Sequence, residues 1–181
     1  MGLKLADIER IFREHGHIAY TGEGVSQLEH ALQSAGLAEA EGAADPLVTA
    51  ALLHDLGHML NRQGETPTMR GIDDQHQYFA IPFLRPLFPP AVIEPIRLHV
   101  DAKRALCALE PDYYESLSED SRRSLTLQGG VYSEREARAF VDKPFAADAM
   151  RLRRWDEKAK VPGATTPPIG HYLEIAARCA V

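Results

Sequence analysis

Residues 45–60, Asp-Pro-Leu-Val-Thr-Ala-Ala-Leu-Leu-His-Asp-Leu-Gly-His-Met-Leu, read as one helix that is apolar nearly all round, hence central and buried. Asp45 offers a capping carboxylate, and Pro46 follows where its missing N–H does no harm. Into this apolar run are set His54, Asp55 and His58. A polar ring in such a helix is costly unless paired or ligated, and a buried carboxylate is costlier still. Adjacent helical positions point about 100° apart. His54 and Asp55 can therefore reach one cavity from two sides, with the carboxylate free to bridge two ions. His58 lies one turn beyond His54 on the same face. A lone buried histidine is more often a satisfied core residue than a ligand; three polar residues in five positions reverse that expectation.

Helical spacing continues outward in both directions. Leu5, Ile8, Ile11 and Phe12 form an apolar stripe near the N-terminus. After the loop Thr21-Gly22-Glu23-Gly24, Ser26 is suited to cap a helix holding Leu28, Ala31, Leu32 and Ala35. Downstream, residues 63–71 read as loop, and Asp73 or Asp74 as the cap of a helix with His76, Phe79 and Ala80. Pro89-Pro90 opens a helix through Ile93 and Ile96 to His99. Another runs from about Ser121 to Leu127 and ends at Gly129-Gly130, and Ser133-x-x-Glu136 is a capping box. Ala149, Leu152, Trp155 and Ala159 mark a further helix, and Tyr172 to Arg178 a short last one. No repeat, low-complexity tract or strand pattern interrupts this. The expected fold class is all-α, a helical bundle with a dinuclear metal site in its core and one domain over residues 1–181.

Composition narrows the function. A chain of 181 residues with 45% hydrophobic and 25% charged residues suits one soluble globular core. A net charge of -6 argues against a nucleic-acid binder, which needs clustered positive charge. Cys107 and Cys179 are too few for a disulfide scaffold or a cysteine-rich zinc site, and read as reduced packing residues. No apolar run approaches the roughly twenty residues that cross a bilayer, and the opening MGLKLADIERIF mixes acid with base, unlike a secretory signal. The expectation is a cytoplasmic protein with no membrane partner, a monomer or weak dimer.

The eight histidines carry most of the signal. His30 sits among Leu28, Ala31 and Leu32, and His76 and His99 each have apolar neighbours on later helices. Each alone is a coin toss between core, surface and site. Together with His54 and Asp55 they are the ligand type and number for two first-row transition metals, which accept imidazole and carboxylate where no thiolate is offered. A last carboxylate is expected from the C-terminal third, with Asp148 and Asp156 as candidates. His15, His17 and His171 lie near polar or terminal segments and are expected not to be ligands.

His30, the His54-Asp55 doublet and a late aspartate resemble the HD-domain superfamily of metal-dependent phosphohydrolases, and His76 and His99 match the extra ligands of its dinuclear members. A narrower resemblance spans about Tyr20 to Lys160. Tyr20-x-x-Glu23, Gln27-x-x-His30, HDLGH, His99-x-x-x-Lys103, SLTLQGG and RRWDEKAK are similar to the mixed-valent diiron oxygenases that cleave organophosphonates, whose type enzyme acts on 2-amino-1-hydroxyethylphosphonate. RRWDEKAK also resembles the last-ligand segment of myo-inositol oxygenase, a relative with the same diiron chemistry.

The resemblance implies Asp156 rather than Asp148 as the last ligand. It implies one iron on His30, His54, Asp55 and Asp156, a second on Asp55, His76 and His99, and Tyr20 on the second until substrate displaces it. Glu23 would recognise a substrate amine, primary or methylated. Lys103, one turn after His99, and His58 would reach a phosphonate, with Ser121 or Ser124, Gln128 and Arg153 as further donors. Arg151 and Arg154 read as a solvated basic face. The implied cofactors are two iron ions (Fe2+/Fe3+) with O2 as co-substrate. The implied reaction turns a small 1-hydroxyphosphonate into a carboxylic acid, such as glycine or a betaine, and phosphate. The rival is an HD phosphohydrolase acting on a nucleotide or phosphate ester through a metal-activated water. Nearly the same ligands serve both; Tyr20, Glu23 and Lys103 favour the oxygenase. A ligand-sensing module without catalysis is disfavoured by the complete ligand set.

Overall fold

The computed structural model describes residues 2–20, 22–61 and 68–181. Its helices, in chain order, are α1 (Leu5–His15), α2 (Gln27–Ala40), α3 (Asp45–Leu53), α4 (Leu56–Leu60), α5 (His76–Phe79), α6 (Ile81–Leu84), α7 (Pro90–Leu109), α8 (Pro111–Ser116), α9 (Glu119–Leu127), α10 (Glu134–Val141), α11 (Ala146–Lys158) and α12 (Ile169–Cys179). The described residues form no strand; one isolated bridge joins Ala19 and Ser26. The fold is all-α, as the periodicity predicts.

Three stretches form as their local chemistry dictates. Ser26 accepts from the Glu29 N–H at 3.2 Å while Glu29 Oε2 accepts from the Ser26 N–H at 2.7 Å, so two orphan donors of α2 are satisfied reciprocally. Ser133 and Glu136 repeat that arrangement at the start of α10. Helix α9 stops at Gly129 and Gly130, whose φ of 103° and 74° costs a glycine little.

Three expectations need correction. Residues 45–60 are not one helix: α3 ends at Leu53, His54 and Asp55 form a turn with Asp55 at φ −103° and ψ 10°, and α4 begins at Leu56. The apolar pattern survives the break because both pieces stay buried, so hydropathy alone does not reveal it. Asp45 does not cap its helix either. Ala44 is the N-cap, and the Asp45 carboxylate instead accepts from Arg178 on α12 at 2.7 Å. The residue entering α5 also differs: Gln75 occupies the cap position in left-handed conformation (φ 50°, ψ 35°), although Asp74 still accepts from the His76 N–H at 3.3 Å. Thr21 and residues 63–67 of the expected loops lie outside the described residues.

Helices α2, α3, α7 and α11 pack around the centre, with α12 and α1 closing the far side of α3. The main core takes Leu52, Leu53, Leu56, Ile93, Ile96, Leu152 and Trp155, all essentially buried. A second cluster joins α7 to α10 and α11 through Leu98, Ala102, Phe140 and Ala149. Cys107 and Cys179 are buried and free, as expected of packing residues.

Candidate metal centre

The break between α3 and α4 is where the site begins. It turns His54 and Asp55 toward His30 on α2, His76 at the start of α5, His99 on α7 and Asp156 on α11. These six side chains come from five places in the chain and are buried, with exposures of 0% for His30 and His54, 6% for Asp55 and 2% for Asp156. Among the described residues three groups have ligand atoms converging closely enough to share an ion: His30, His54, Asp55 and Asp156; Asp55, His76 and His99; and, nearer the pocket, His58, Asp74 and His76. Asp55 belongs to the first two.

Ring orientation decides what these groups can hold. His30 Nδ1 lies 2.8 Å from the Ala159 carbonyl, His54 Nδ1 2.8 Å from the Ala51 carbonyl and His99 Nδ1 2.7 Å from the Ile96 carbonyl. A carbonyl only accepts, so each Nδ1 carries the proton and a neutral ring presents its Nε2 lone pair inward. His76 does the same with Asp74, Nδ1 to Oδ1 at 2.9 Å. The inward atoms then meet in pairs: His30 Nε2 to His54 Nε2 at 3.2 Å, His76 Nε2 to His99 Nε2 at 3.1 Å. Two lone pairs at that distance repel unless a proton or a metal ion lies between them. Asp55 Oδ2 and Asp156 Oδ1 are buried with no hydrogen-bond partner, the second observation of the same kind. The donor set fits a pair of transition-metal ions, each nitrogen ligand held by an outer acceptor.

The electrostatics agree. Burial pushes His54 down, but the Asp55 and Asp156 carboxylates outweigh it and raise the ring to about 10, so without a metal ion a proton holds the inward Nε2, and a metal ion must displace it. Burial likewise pushes Asp55 up, yet His54, His58 and His30 hold it well below the usual carboxylate range. The centre attracts positive charge. His99, farther from the carboxylates, is held well below its ordinary value by burial and by its histidine neighbours.

A pocket opens beside the second group, lined by Tyr20, Glu23, His58, Lys103, Ser121, Ser124, Gln128, Arg153 and Lys160 along with the candidate ligands Asp55, His76, His99 and Asp156. Tyr20 reaches it because the Ala19–Ser26 bridge and the Tyr20 N–H bond to Val25 O (2.8 Å) pin the loop before α2. Its ring stacks on His30 with centroids 4.0 Å apart. Burial, followed by the Asp55 and Asp156 charges, raises its phenol well above the ordinary value. Lys103 is 4% exposed, donates to Ser124 Oγ at 2.7 Å, and is pushed down to about 7 by burial and then by Arg153. Gln128 lines the pocket with its Oε1 unpaired.

Two residues expected to be free for substrate are already engaged. Glu23 accepts from Ser118 Oγ and from Lys160 Nζ, the latter at 3.2 Å. Arg153 is bonded to Asp156, to Glu157 Oε2 at 2.6 Å and to Ser121 Oγ at 3.3 Å. Ser121 is itself shared among Arg153, Lys160 and Glu157, whereas Ser124 answers to Lys103. Asp148 belongs to none of these groups, and His171 pairs with Glu39 at 2.8 Å.

Sequence reasoning passes over Asp74, Lys160, Glu157 and Ser118. Glu157 and Lys160 stand in RRWDEKAK, and their spacing from Asp156 is the available signal; Asp74 is legible only as a cap.

A protein-family model described as HD domain matches residues 27–132. The chain belongs to the HD-domain family. The match holds the His54-Asp55 doublet and every ligand candidate except Tyr20 and Asp156. Similar to this HD-domain chain is a hydroxymethylphosphonate dioxygenase of Gimesia maris, 43% identical over 172 residues covering 94% of this chain and 85% of that protein. A [1-hydroxy-2-(trimethylamino)ethyl]phosphonate dioxygenase (glycine-betaine-forming) of Leisingera caerulea is 36% identical, covering 93% and 86%. An uncharacterised protein of Acanthamoeba polyphaga mimivirus is 32% identical, covering 93% and 78%. No helix among the described residues is long and apolar enough to cross a membrane.

Proposed function

We propose that this chain, residues 1–181 acting as one HD domain, is a diiron dioxygenase that cleaves the carbon–phosphorus bond of a small 1-hydroxyphosphonate. The observation that carries the reading is a polar pocket, holding a buried lysine, that opens onto the Asp55–His76–His99 group. The two relatives named as hydroxyphosphonate dioxygenases support the reaction class. In the overall balance, RCH(OH)PO3H− and O2 give RCOOH and H2PO4−.

His30, His54, Asp55 and Asp156 would hold one iron ion, and Asp55, His76 and His99 the other, with Asp55 as the bridge. When bound, such a pair supplies O2 activation and one-electron chemistry. The protein supplies position and charge. Three ligands in the second group leave room for a substrate chelate. Tyr20, stacked on His30 at the pocket wall, would occupy that room and yield it to substrate. Lys103 would hold a phosphonate oxygen by a charge-assisted hydrogen bond, with Ser124 and Gln128 beside it. His58 would serve the same group from the other side. Glu23 admits a substrate ammonium only where that ammonium competes with Lys160, so an uncharged substituent at the hydroxyl-bearing carbon is the simpler occupant.

Iron-loaded protein incubated with hydroxymethylphosphonate, 2-amino-1-hydroxyethylphosphonate and a panel of phosphate monoesters, with O2 uptake and phosphate followed together, tests this. The expected result is equal O2 consumption and phosphate release from at least one hydroxyphosphonate. Phosphate released from esters with no O2 consumed would replace the oxygenase with a hydrolase.

A further inference from the structure

We propose that Asp74 is a positioning residue that clamps two imidazoles at once, the ligand His76 and the pocket-side His58, and so sets the second metal position and the phosphonate face of the pocket together. Its side chain is 6% exposed. One oxygen, Oδ1, lies 2.9 Å from His76 Nδ1, and the other, Oδ2, lies 2.5 Å from His58 Nδ1. The two rings held this way are stacked, with centroids 3.9 Å apart and planes 24° from parallel. Each is left with one nitrogen. His76 Nε2 faces His99 Nε2, and His58 Nε2 stands 3.8 Å from Asp55 Oδ1 on the pocket side.

The backbone is shaped for this clamp. Gln75 adopts a left-handed φ of 50°, rare for a side chain of its kind, and the turn is pinned by its N–H bond to Asp73 Oδ1 (3.2 Å) and by the His76 N–H bond to Asp74 Oδ1 (3.3 Å). From below, α4 approaches so closely that a Cβ at Gly57 would lie 2.1 Å from the His76 carbonyl oxygen. The carboxylate, the ligand ring and the pocket ring are thus held by one short segment between α4 and α5. His58, Asp74 and His76 also converge closely enough to share an ion, but both Asp74 oxygens face ring Nδ1 atoms at hydrogen-bonding distance, so Asp74 is assigned a place behind the imidazoles; a carboxylate behind a ligating imidazole fixes its tautomer and orientation.

The inference rests on the two metal positions of the proposed function, so its test reads metal binding before activity. Wild type, Asp74→Asn, Asp74→Glu and His58→Asn are titrated with ferrous iron under anaerobic conditions, with circular dichroism as the check on folding. Wild type should bind two equivalents. Asp74→Asn should keep the first and weaken the second about 10- to 100-fold, and alter the spectroscopic signature of the oxidised pair. His58→Asn should keep both metals and instead raise KM for the phosphonate with a smaller change in kcat, and Asp74→Glu should restore part of the second binding. A folded Asp74→Asn protein that binds two equivalents as tightly as wild type overturns the proposal. So does an Asp74→Asn protein that loses both equivalents together, because neither clamped ring, His76 or His58, belongs to the first position. Wild type that binds no second equivalent overturns the metal centre itself, a separate failure. An Asp74→Asn chain that does not fold passes the decision to Asp74→Glu, where unrestored second-site affinity counts against the clamp.

Discussion

Lys103 carries the clearest consequence at the scale of one residue. Nearly all of its stem and head is inside, and burial with Arg153 nearby brings its ammonium down to about 7. The folded value lies below the unfolded one of about 10.4. The charged form is therefore present below pH 7 and lost as pH rises through about 7. If this ammonium holds the phosphonate, kcat/KM should show an alkaline limb with a midpoint near pH 7, carried mostly by KM. Lys103→Arg keeps its charge across this range, so its alkaline limb should flatten even if its maximum falls. An unchanged limb in that variant would assign the titration to another group. Lys103 illustrates what was legible at this scale: its spacing from His99 puts both on one helix face. The engagement of Glu23 by Lys160 was not, because nothing in one-dimensional spacing brings residue 23 to residue 160. Asp74 was hidden for a related reason. An acid two positions before a helical histidine looks the same whether it caps a helix or clamps a ring.

At the scale of the element, the segment from Asp45 to Leu60 shows the limit of periodicity. An apolar run that stays buried on both sides of a turn has the pattern of one long helix, so the break at His54-Asp55 is silent in hydropathy. The signal present was Gly57, a poor helix former in the interior of an otherwise strong helix. The structure gives its reason: the His76 backbone occupies the place of a side chain, with the carbonyl carbon 2.7 Å and the Cα 2.8 Å from where a Cβ would stand. Gly57→Ala must push α4 and α5 apart. We expect a loss of about 1–3 kcal/mol in denaturant unfolding and weaker iron binding at the His76 position. Wild-type values of both would show that the backbone relaxes around the methyl group at no cost to the site.

For the whole molecule, the notable feature is that α2, the α3–α4 turn, α5, α7 and α11 each contribute at least one buried polar side chain to one point. The all-α class and the helix faces follow from periodicity, but the convergence follows from packing, which is why spacing alone leaves the late carboxylate open between Asp148 and Asp156, of which only Asp156 joins a convergent group. Facing lone pairs and unpartnered carboxylate oxygens at the centre of a core are destabilising unless a cation joins them. Metal should therefore stabilise the fold as a whole. A ligand that binds only the folded state at 100 times its Kd adds about 2.7 kcal/mol per site. For a chain of this size 1 kcal/mol moves Tm by roughly 2–4 °C, so each filled site should raise Tm by on the order of 5–10 °C. Calorimetry of chelator-treated and iron-loaded protein reads this directly. Asp156→Ala should lose the increment of the first site and keep that of the second. Equal Tm values for loaded and stripped wild type would mean that the four inward-facing imidazoles are satisfied by protons and one another, and that no metal centre holds these helices together.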